Sequence, residues 1–284
     1  MKRKESSRRR AVAIRRKTLI RRSGVEWTDY NCNIYHGCAH NCKYCYARLM
    51  TKRFEPNPLD WQDVKMVKNA VELARRDIRI LRPGRIMFCS MTDPYQPTEA
   101  ETGLARKVLE VLLDSPFHVL ILTKSPLVTR DYDLIRGHGN VEVGFTITSL
   151  GDIPFWEPYA PRNTKRIEAL KKAHRMGVKT FASIEPWIPR TTDPQSIIEK
   201  LKDSVDRFII GSMQYCDVPR RFYPDRLPRV IVWLDENKIN YYLKKELRSC
   251  FHPLQLGLNP HLGRTHGVIL IGGYGFLSRD YTIV

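Results

Sequence analysis

The sequence predicts an α/β protein whose core is an open, partial (β/α)6 barrel of parallel strands. Short apolar runs alternate with longer helical stretches along most of the chain. Strands separated by helices in this way are joined by right-handed parallel crossovers. A chain of 284 residues is long enough to build such a unit as one domain.

Six strands are predicted from apolar runs that end in polar residues. They lie at residues 31–36, 85–89, 117–123, 141–148, 178–184 and 207–211. Helices are predicted between them at residues 61–80, 98–113, 126–136, 162–176 and 193–201. Thr98 and Glu101 form a capping-box pattern, and Gly177 ends the fourth helix.

Positive charge is concentrated at the start of the chain. The sequence has 48 Lys and Arg against 30 Asp and Glu, which gives a net charge of +18. Residues 1–24 are predicted to form a flexible basic arm that binds phosphates by releasing counterions. A solvated tail that only aids solubility is the alternative. Residues 25–217 are predicted to form the barrel, and residues 218–284 a small C-terminal extension that closes it.

The composition excludes a membrane protein and a secreted disulfide scaffold. The chain has no apolar run long enough to span a bilayer, and its basic start lacks the apolar segment of a signal peptide. Its seven cysteines are an odd number in a long chain. We therefore expect a cytoplasmic protein.

Three cysteines form a motif that carries chemistry. Cys38, Cys42 and Cys45 are spaced C-x3-C-x2-C within the string GCAHNCKYCYA. This spacing supplies three thiolates from one tight loop, and no fourth cysteine follows at the distance of a zinc knuckle or a ferredoxin. Three thiolates on a [4Fe-4S] cube leave one iron without a protein ligand. A zinc site completed by His36 or His40 is the alternative.

An open iron of this kind can chelate the amino and carboxylate groups of S-adenosylmethionine, whose reductive cleavage gives a 5'-deoxyadenosyl radical. With the aromatic Tyr44 just before the last cysteine, the motif resembles the signature of the radical S-adenosylmethionine superfamily. The resemblance implies a [4Fe-4S] cluster on Cys38, Cys42 and Cys45, S-adenosylmethionine as cofactor next to Tyr44, and the partial barrel as the fold.

Two further strings resemble the spore photoproduct lyase-like branch of this superfamily. They are CSMTDPYQP after the second strand and LTKSP after the third. The resemblance implies that Ser90, Thr92 and Asp93 approach the methionine amino end of the cofactor and that Lys124 pairs with its carboxylate, a role that suits a point charge. An ion pair with a helix carboxylate for Lys124, and a turn before Pro94 for Asp93, are the alternatives.

Polar residues also follow the last three strands, where ligands bind in parallel barrels. Thr146 and Thr148 point inward by the alternation of a strand and are predicted to face the ribose or the substrate. Glu185 is predicted to accept from ribose hydroxyls or to bind a substrate amine. Gly211 and Ser212 are predicted to let the adenine ring approach the backbone.

The four cysteines outside the motif differ in the role that is predicted for each of them. Cys32 is predicted to pack as a small apolar residue. Cys89 and Cys216 fall near the barrel mouth, and Cys216 is the candidate hydrogen donor to a product radical, since the resembling lyases use a cysteine in this way. Ordinary burial is the alternative. Cys250 has no predicted role.

The C-terminal part has a basic and aromatic segment. The string PRRFYPDRLPR at residues 219–229 interleaves four Arg with two aromatic residues, and a helix is predicted at residues 228–248. Such a pattern can follow phosphates and stack on unpaired bases, although a last helix that closes the barrel is the alternative. A strand is predicted at residues 268–271.

We therefore expect a radical S-adenosylmethionine enzyme. A nucleic acid, either a DNA lesion or an RNA base, is the first hypothesis for the substrate, and a reductant such as flavodoxin or ferredoxin is the expected electron donor. A small molecule or peptide substrate is the second hypothesis. A non-catalytic iron-sulfur protein that binds nucleic acid is the third.

Overall fold

The parallel strands of the chain form one large sheet with helices on its outer side. The computed structural model describes residues 11–51 and 61–250. The large sheet has eight strands in the order β11-β10-β9-β8-β7-β6-β3-β2, and a second sheet has three strands in the order β1-β5-β4. The large sheet is parallel except for β2, which is antiparallel to β3.

The elements follow one another along the chain with short connections. The strands are β1 (Val12–Ile14), β2 (Ile20–Arg22), β3 (Tyr30–Cys32), β4 (Tyr35–His36), β5 (Lys65–Val67), β6 (Arg85–Phe88), β7 (His118–Thr123), β8 (Val141–Thr146), β9 (Lys179–Trp187), β10 (Arg207–Ser212) and β11 (Tyr241–Leu243). The helices are α1 (Tyr46–Thr51), α2 (Ala70–Ile80), α3 (Glu99–Thr102), α4 (Leu104–Leu113), α5 (Tyr132–Ile135), α6 (Asn163–Arg175), α7 (Pro194–Leu201), α8 (Phe222–Glu236) and α9 (Lys245–Arg248). Two 3-10 turns lie at Pro126–Asp131 and Lys202–Ser204.

The predicted fold class is confirmed. Five predicted strands are present, as β6, β7, β8, β9 and β10, whereas the strand predicted at residues 31–36 is split between β3 of the large sheet and β4 of the second sheet. β3 and β6 to β10 pair in sequence order. β11 adds a seventh parallel strand beside β10, so part of the C-terminal extension continues the sheet. The edge strands β2 and β11 do not pair with each other, which leaves the barrel open.

Several predicted helices are wrong in part. The first half of the helix predicted at residues 61–80 is strand β5, and the helix predicted at residues 228–248 is instead α8, β11 and α9. Gly103 has a φ of 58°, which separates α3 from α4. Thr98 makes no side-chain capping bond, so the capping box does not form. The helix predicted at residues 126–136 is largely a 3-10 turn.

The predicted flexible arm is corrected over residues 12–22. β1 pairs with β5, and β2 pairs with β3. The buried carboxylate of Asp77 on α2 accepts the backbone N–H groups of Leu19 and Ile20 at 2.8 and 3.0 Å. Residues 1–10 of the arm, and the strand predicted at residues 268–271, lie outside the described residues.

The inside of the barrel is filled by apolar side chains at its middle level. These are Met87, Leu120, Phe181 and Ile209, one each from β6, β7, β9 and β10. β8 contributes Gly144, where an added Cβ would lie 2.2 Å from the ring of Phe181. The aromatic ring therefore occupies the space that a side chain on β8 would need.

The amino end of the barrel is closed by an ionic cluster around Glu142. Its carboxylate contacts Arg207 at 2.6 Å, His118 at 2.9 Å and Arg85 at 3.8 Å. Burial raises the pKa of Glu142, but the hydrogen bond with His118 and the charges of Arg207 and Arg85 outweigh burial and lower that pKa. The carboxyl ends of the parallel strands, called the mouth below, are the opposite end of the barrel.

No helix in residues 11–51 and 61–250 is both long enough and apolar enough to cross a membrane.

Candidate active site

The three cysteines of the motif lie in one loop at the mouth. This cysteine loop, residues 37–45, follows β4 and leads into α1. The N–H of Asn41 donates to the carbonyl of Cys38 at 3.3 Å, and the N–H of Cys45 donates to the carbonyl of Cys42 at 3.2 Å. Asn41 has a φ of 47° and turns the chain between the first two thiols.

The segment after β6 holds the start of this loop. The Thr92 hydroxyl donates to the carbonyl of Gly37 at 2.6 Å. The fully buried Gln96 accepts from the N–H of Ala39 at 2.9 Å and donates to Gly37 at 3.3 Å. The TDPYQP string therefore braces the cysteine loop through its side chains.

Asp93 joins the same loop to the end of β7. Its carboxylate accepts from the Thr123 hydroxyl at 2.6 Å, from the Lys124 N–H at 2.8 Å and from the Tyr95 N–H at 2.9 Å. The His40 ring lies 3.4 Å from it. Burial raises the pKa of Asp93, but His40 and the hydrogen bonds outweigh burial and hold that pKa at about 2. The predicted contact of Asp93 with the cofactor stays a prediction.

The three cysteines of the motif pack in two neighbouring apolar groups. Cys38 packs with Ala47 and Trp61, and Cys42 packs in a second apolar group, while the half-buried Cys45 contacts both groups. All seven cysteines are free thiols. Within the described residues, no three His, Cys, Asp or Glu side chains converge as around a single ion.

Tyr44 is fixed by a buried carboxylate and a buried arginine. The Tyr44 hydroxyl donates to Glu157, and Glu157 pairs with Arg166 of α6. Arg166 is fully buried and also donates to the carbonyls of Thr146 and Pro161 at 3.1 and 2.7 Å. Burial raises the pKa of Glu157, but Arg166 and Lys124 lower it, so the carboxylate is charged.

Lys124 lies beside the cysteine loop, and its predicted pairing with the cofactor carboxylate stays a prediction. Its Nζ is 5.5 Å from the centre of the Tyr44 ring. Burial lowers the pKa of Lys124, but the neighbouring Cys42, Glu157 and Asp93 raise it above its usual value. No ion pair of Lys124 with a helix carboxylate is found among the described residues. A cation held next to the thiols is the geometry expected for a carboxylate-binding group.

Glu185 pairs with a lysine that follows β11. Lys244 Nζ lies 2.7 Å from Glu185 Oε1. An added Cβ at Gly211 would come within 2.8 Å of the Glu185 side chain and 2.9 Å of Lys244, so Gly211 makes room for this ion pair. The structure thus places Glu185 and Lys244 against Gly211, and the approach of the adenine ring to this strand end stays a prediction. Burial raises the pKa of Glu185 although Lys244 opposes it.

The other predicted cofactor residues lie around the same edge. Ser90 accepts through its carbonyl from the Tyr46 hydroxyl. The buried Thr148 donates to Glu157 at 3.5 Å, and the buried Ser212 accepts from Gln214. Their contacts with the cofactor stay predictions.

The cysteines outside the motif separate into two groups. Cys216 packs against the apolar group that contains Cys42. Cys89 is buried in the outer core, where its thiol donates to the carbonyl of Cys32 at 3.5 Å. Cys89 directly follows β6, which ends at the mouth, and its side chain packs in this core. Cys32 is fully buried, as expected, and the Cys250 thiol donates to the carbonyl of Glu246.

Sequence reasoning missed Gln96, Glu157, Arg166 and Lys244. Arg166 carried a detectable signal, because it occupies a buried position of α6 together with Ala169, Leu170 and Ala173. A charged residue on the apolar face of a helix needs a buried partner.

Relatives by sequence come from archaea, a virus and bacteria. An uncharacterized protein of Methanocaldococcus jannaschii is 37% identical over 196 residues, which cover 67% of this chain and 73% of that protein. An uncharacterized protein of Acidianus two-tailed virus is 30% identical over 204 residues, covering 66% of this chain and 65% of that protein. An uncharacterized protein of Mycobacterium tuberculosis is 28% identical over 183 residues, covering 61% and 53%.

Solved structures of spore photoproduct lyase share the fold. The lyase in complex with dinucleoside spore photoproduct matches with a TM-score of 0.58 and 19% identity, over 80% of this chain and 69% of that chain. A double mutant with bound S-adenosylmethionine and the dinucleoside matches with a TM-score of 0.59 and 18% identity, over 72% and 62%.

The sequence model of the Radical SAM superfamily matches residues 32–210. That range runs from the end of β3 into β10 and contains the three cysteines of the loop. The chain is therefore a member of the Radical SAM superfamily, an enzyme that uses a [4Fe-4S] cluster and S-adenosylmethionine.

Proposed function

We propose that this radical SAM enzyme abstracts a hydrogen atom from a nucleic acid, and that exposed aromatic rings at the mouth bind the target nucleotide. The observation that carries the proposal is the placement of exposed apolar side chains. Five of the eight large exposed apolar side chains of the described residues lie in segments at the mouth. They are Tyr46, Leu150, Phe155, Tyr159 and Tyr215.

Four of these five side chains are aromatic, and two of them, Tyr46 and Phe155, adjoin the cysteine loop. Phe155 is 63% exposed and Tyr215 is 52% exposed. Phe155 is next to Trp156, whose carbonyl accepts the N–H of Lys43 in the loop at 2.9 Å. Bases stack on aromatic side chains with little dependence on sequence, and each such contact contributes about 1–3 kcal/mol.

Cationic side chains accompany the aromatic ones. Lys43 Nζ lies 3.5 Å from the centre of the Phe155 ring. Arg190, Arg220 and Arg221 are exposed in the segments that follow β9 and β10. Aromatic rings for bases and cations for phosphates together support a single-stranded or locally unpaired nucleic acid as substrate.

The residues near the thiols have assigned roles in this proposal. The cluster and S-adenosylmethionine supply a radical that takes a hydrogen atom from the substrate. Lys124 holds the methionine carboxylate as a fixed cation, with Ser90, Thr92, Asp93, Thr148, Glu185 and Ser212 as the further predicted cofactor contacts.

Cys216 is the proposed hydrogen donor to the substrate radical. Its half-buried side chain packs in the group that contains Cys42, and burial and Asp217 raise the pKa of Cys216, which keeps the thiol protonated. Its S–H bond gives one hydrogen atom to the substrate radical. The remaining sulfur radical is restored by one electron from the reductant and one proton from solvent.

Radical SAM enzymes need a one-electron reductant, and we propose a flavodoxin or ferredoxin in the cytoplasm for this chain.

The carbonyl of Trp156 and the ring of Phe155 both contact Lys43, so the segment that carries Phe155 is in direct contact with the cysteine loop.

The experiment is anaerobic. The protein is reconstituted with iron and sulfide, reduced, and mixed with S-adenosylmethionine, and 5'-deoxyadenosine is measured with no addition, with total tRNA or with irradiated DNA. Variants Phe155→Ala and Tyr215→Ala are compared with Val232→Ala, which removes an apolar side chain on α8 that is 48% exposed.

We expect one nucleic acid to raise 5'-deoxyadenosine formation and to carry the product. The rise should fall in the Phe155 and Tyr215 variants and persist in the Val232 variant. If neither nucleic acid changes formation of 5'-deoxyadenosine while a small molecule or peptide does, the proposed substrate class is wrong.

A further inference from the structure

A strongly cationic surface lies on the outside of the barrel, away from the aromatic rings of the mouth. The basic face, as we call it, consists of the exposed side chains Arg15, Lys17, Arg21, Arg75, Arg76 and Arg79. Three of them come from the segment between β1 and the end of β2, and three come from α2. We propose that the basic face binds the phosphodiester backbone of the nucleic acid whose target nucleotide enters the mouth, which rests on the proposed function.

Two sets of contacts make these residues one surface. Asp77 of α2 accepts from the backbone of Leu19 and Ile20, as described above. The Arg76 guanidinium donates to the carbonyl of Lys17 at 2.7 Å. The cations of the N-terminal segment are therefore held beside those of α2 rather than distributed along a free chain.

The acidic residues in these two segments leave the face positive. Asp77 is 2% exposed and pairs with Arg76 at 2.6 Å. Glu72, in the first turn of α2, is the other acidic residue of that helix. The six cations of the face thus outnumber the two carboxylates of α2, of which one is buried.

The face extends from the mouth toward the amino end of the barrel. At its upper end, Arg16 donates to the carbonyl of Asn33, the residue after β3, at 3.3 Å. At its lower end, the Tyr30 hydroxyl donates to the carbonyl of Arg82, shortly before β6 begins. Along α2, the cations of the face run from Arg75 to Arg79, a rise of about 6 Å.

The residue types of the face favour phosphate as the ligand. Five of its six members are arginines, whose planar guanidinium binds phosphate oxygens through two parallel hydrogen bonds. Contacts of this kind position a nucleic acid and carry no sequence information, which leaves base recognition to the mouth.

The experiment measures binding of a labelled oligonucleotide over a range of salt concentrations by fluorescence anisotropy, with irradiated DNA and tRNA as separate probes. The test variant of the full chain carries Arg15→Gln, Arg75→Gln and Arg79→Gln. The matched control carries Lys172→Gln, Arg175→Gln and Lys179→Gln, which remove the same charge from exposed positions on α6 and β9. Thermal unfolding of both variants checks that each is folded.

We expect the slope of log K against log salt concentration to fall by about 3 in the test variant, because each lost phosphate contact lowers it by about 1. The control should keep the wild-type slope. If both variants keep that slope while Phe155→Ala weakens binding, the basic face is not used and the proposed function still holds.

Two other outcomes also overturn the inference. If the wild-type protein binds neither probe, the proposed function fails together with the face. If the test variant binds nucleic acid normally but is reduced more slowly by flavodoxin than the control is, the face is a docking surface for a protein reductant.

Discussion

At the scale of single residues, two carboxylates near the mouth have opposite electrostatic environments. Asp93 accepts three hydrogen bonds and faces His40, and these contacts lower its pKa to about 2 despite burial. Glu185 has one cationic partner, Lys244, and burial outweighs it and raises the pKa of Glu185. The number of donors around each carboxylate therefore decides which of them is held firmly in its charged form.

Asp93→Asn should destabilise the protein without its cluster by about 2 kcal/mol at pH 7, since the pKa of Asp93 is lowered from 3.8 to about 2. A lowered carboxyl pKa contributes stability above the unfolded value, and this contribution is lost as pH falls toward the folded value. The difference in urea unfolding between wild type and variant should therefore be full at pH 7 and shrink as pH falls from about 4 to about 2. An equal difference at pH 7 and pH 3 would show that charge is not the cause.

Lys244→Met should leave Glu185 without its cationic partner and cost about 1–3 kcal/mol at neutral pH. The pKa of Glu185 is already raised, and its further rise makes the charged form unfavourable above that pKa. The variant should therefore regain stability as pH falls, when Glu185 takes up a proton. Adding Glu185→Gln should remove this pH dependence in unfolding measurements, and if it does not, another group is responsible.

The three cysteines of the motif could be predicted from the sequence, because they lie within one short segment. Cys38, Cys42 and Cys45 fall within eight residues, and their common loop follows from that spacing. Glu157 contacts Tyr44 across a separation of 113 residues. Such a pair is created by the packing of β8 and α6 beside the cysteine loop, and no local pattern encodes it.

At the scale of elements, the strands were predicted more accurately than the helices. β6 to β10 are apolar runs buried on both faces, which the sequence shows directly. β5 and β11 have three residues each and exist through pairing with distant strands. The sequence predicts a helix at both positions, because the residues on one side of each strand have helical spacing.

Gly144→Ala should destabilise the barrel by about 1–3 kcal/mol, because the new methyl group overlaps the Phe181 ring. Gly151→Ala is the control, since a Cβ there meets nothing within 4 Å. Combining Gly144→Ala with Phe181→Leu should cost less than the sum of the two single changes. Additive costs in chemical unfolding would mean that the two positions do not compete for space.

At the scale of the whole molecule, the two edges of the open sheet are connected by a carboxylate. Glu26, between β2 and β3, accepts from the N–H of Lys245 at 3.0 Å and from Arg248 at 3.2 Å. These two partners follow β11 at the opposite edge. Within the described residues, this contact spans the gap where the barrel does not close.

Glu26→Ala should loosen β11, because that strand pairs with β10 alone in the described sheet. We expect faster hydrogen exchange of the backbone amides of residues 241–248, while the amides of β7 and β8 keep their protection. Glu72→Ala, an exposed change on α2, is the control. Unchanged exchange over residues 241–248 would show that the contact does not hold the edge.

The ionic cluster around Glu142 has a consequence for the order of events in catalysis. The ionic cluster of Glu142, Arg207, His118 and Arg85 lies at the amino end of the barrel, and the three thiols of the cysteine loop lie at the mouth. The thiol of Cys42 is buried, whereas Phe155 projects outward at the rim. A polynucleotide that binds across the mouth, as proposed above, would cover the bound cofactor. Steady-state kinetics should therefore show ordered addition, with S-adenosylmethionine first, and excess nucleic acid added beforehand should slow turnover.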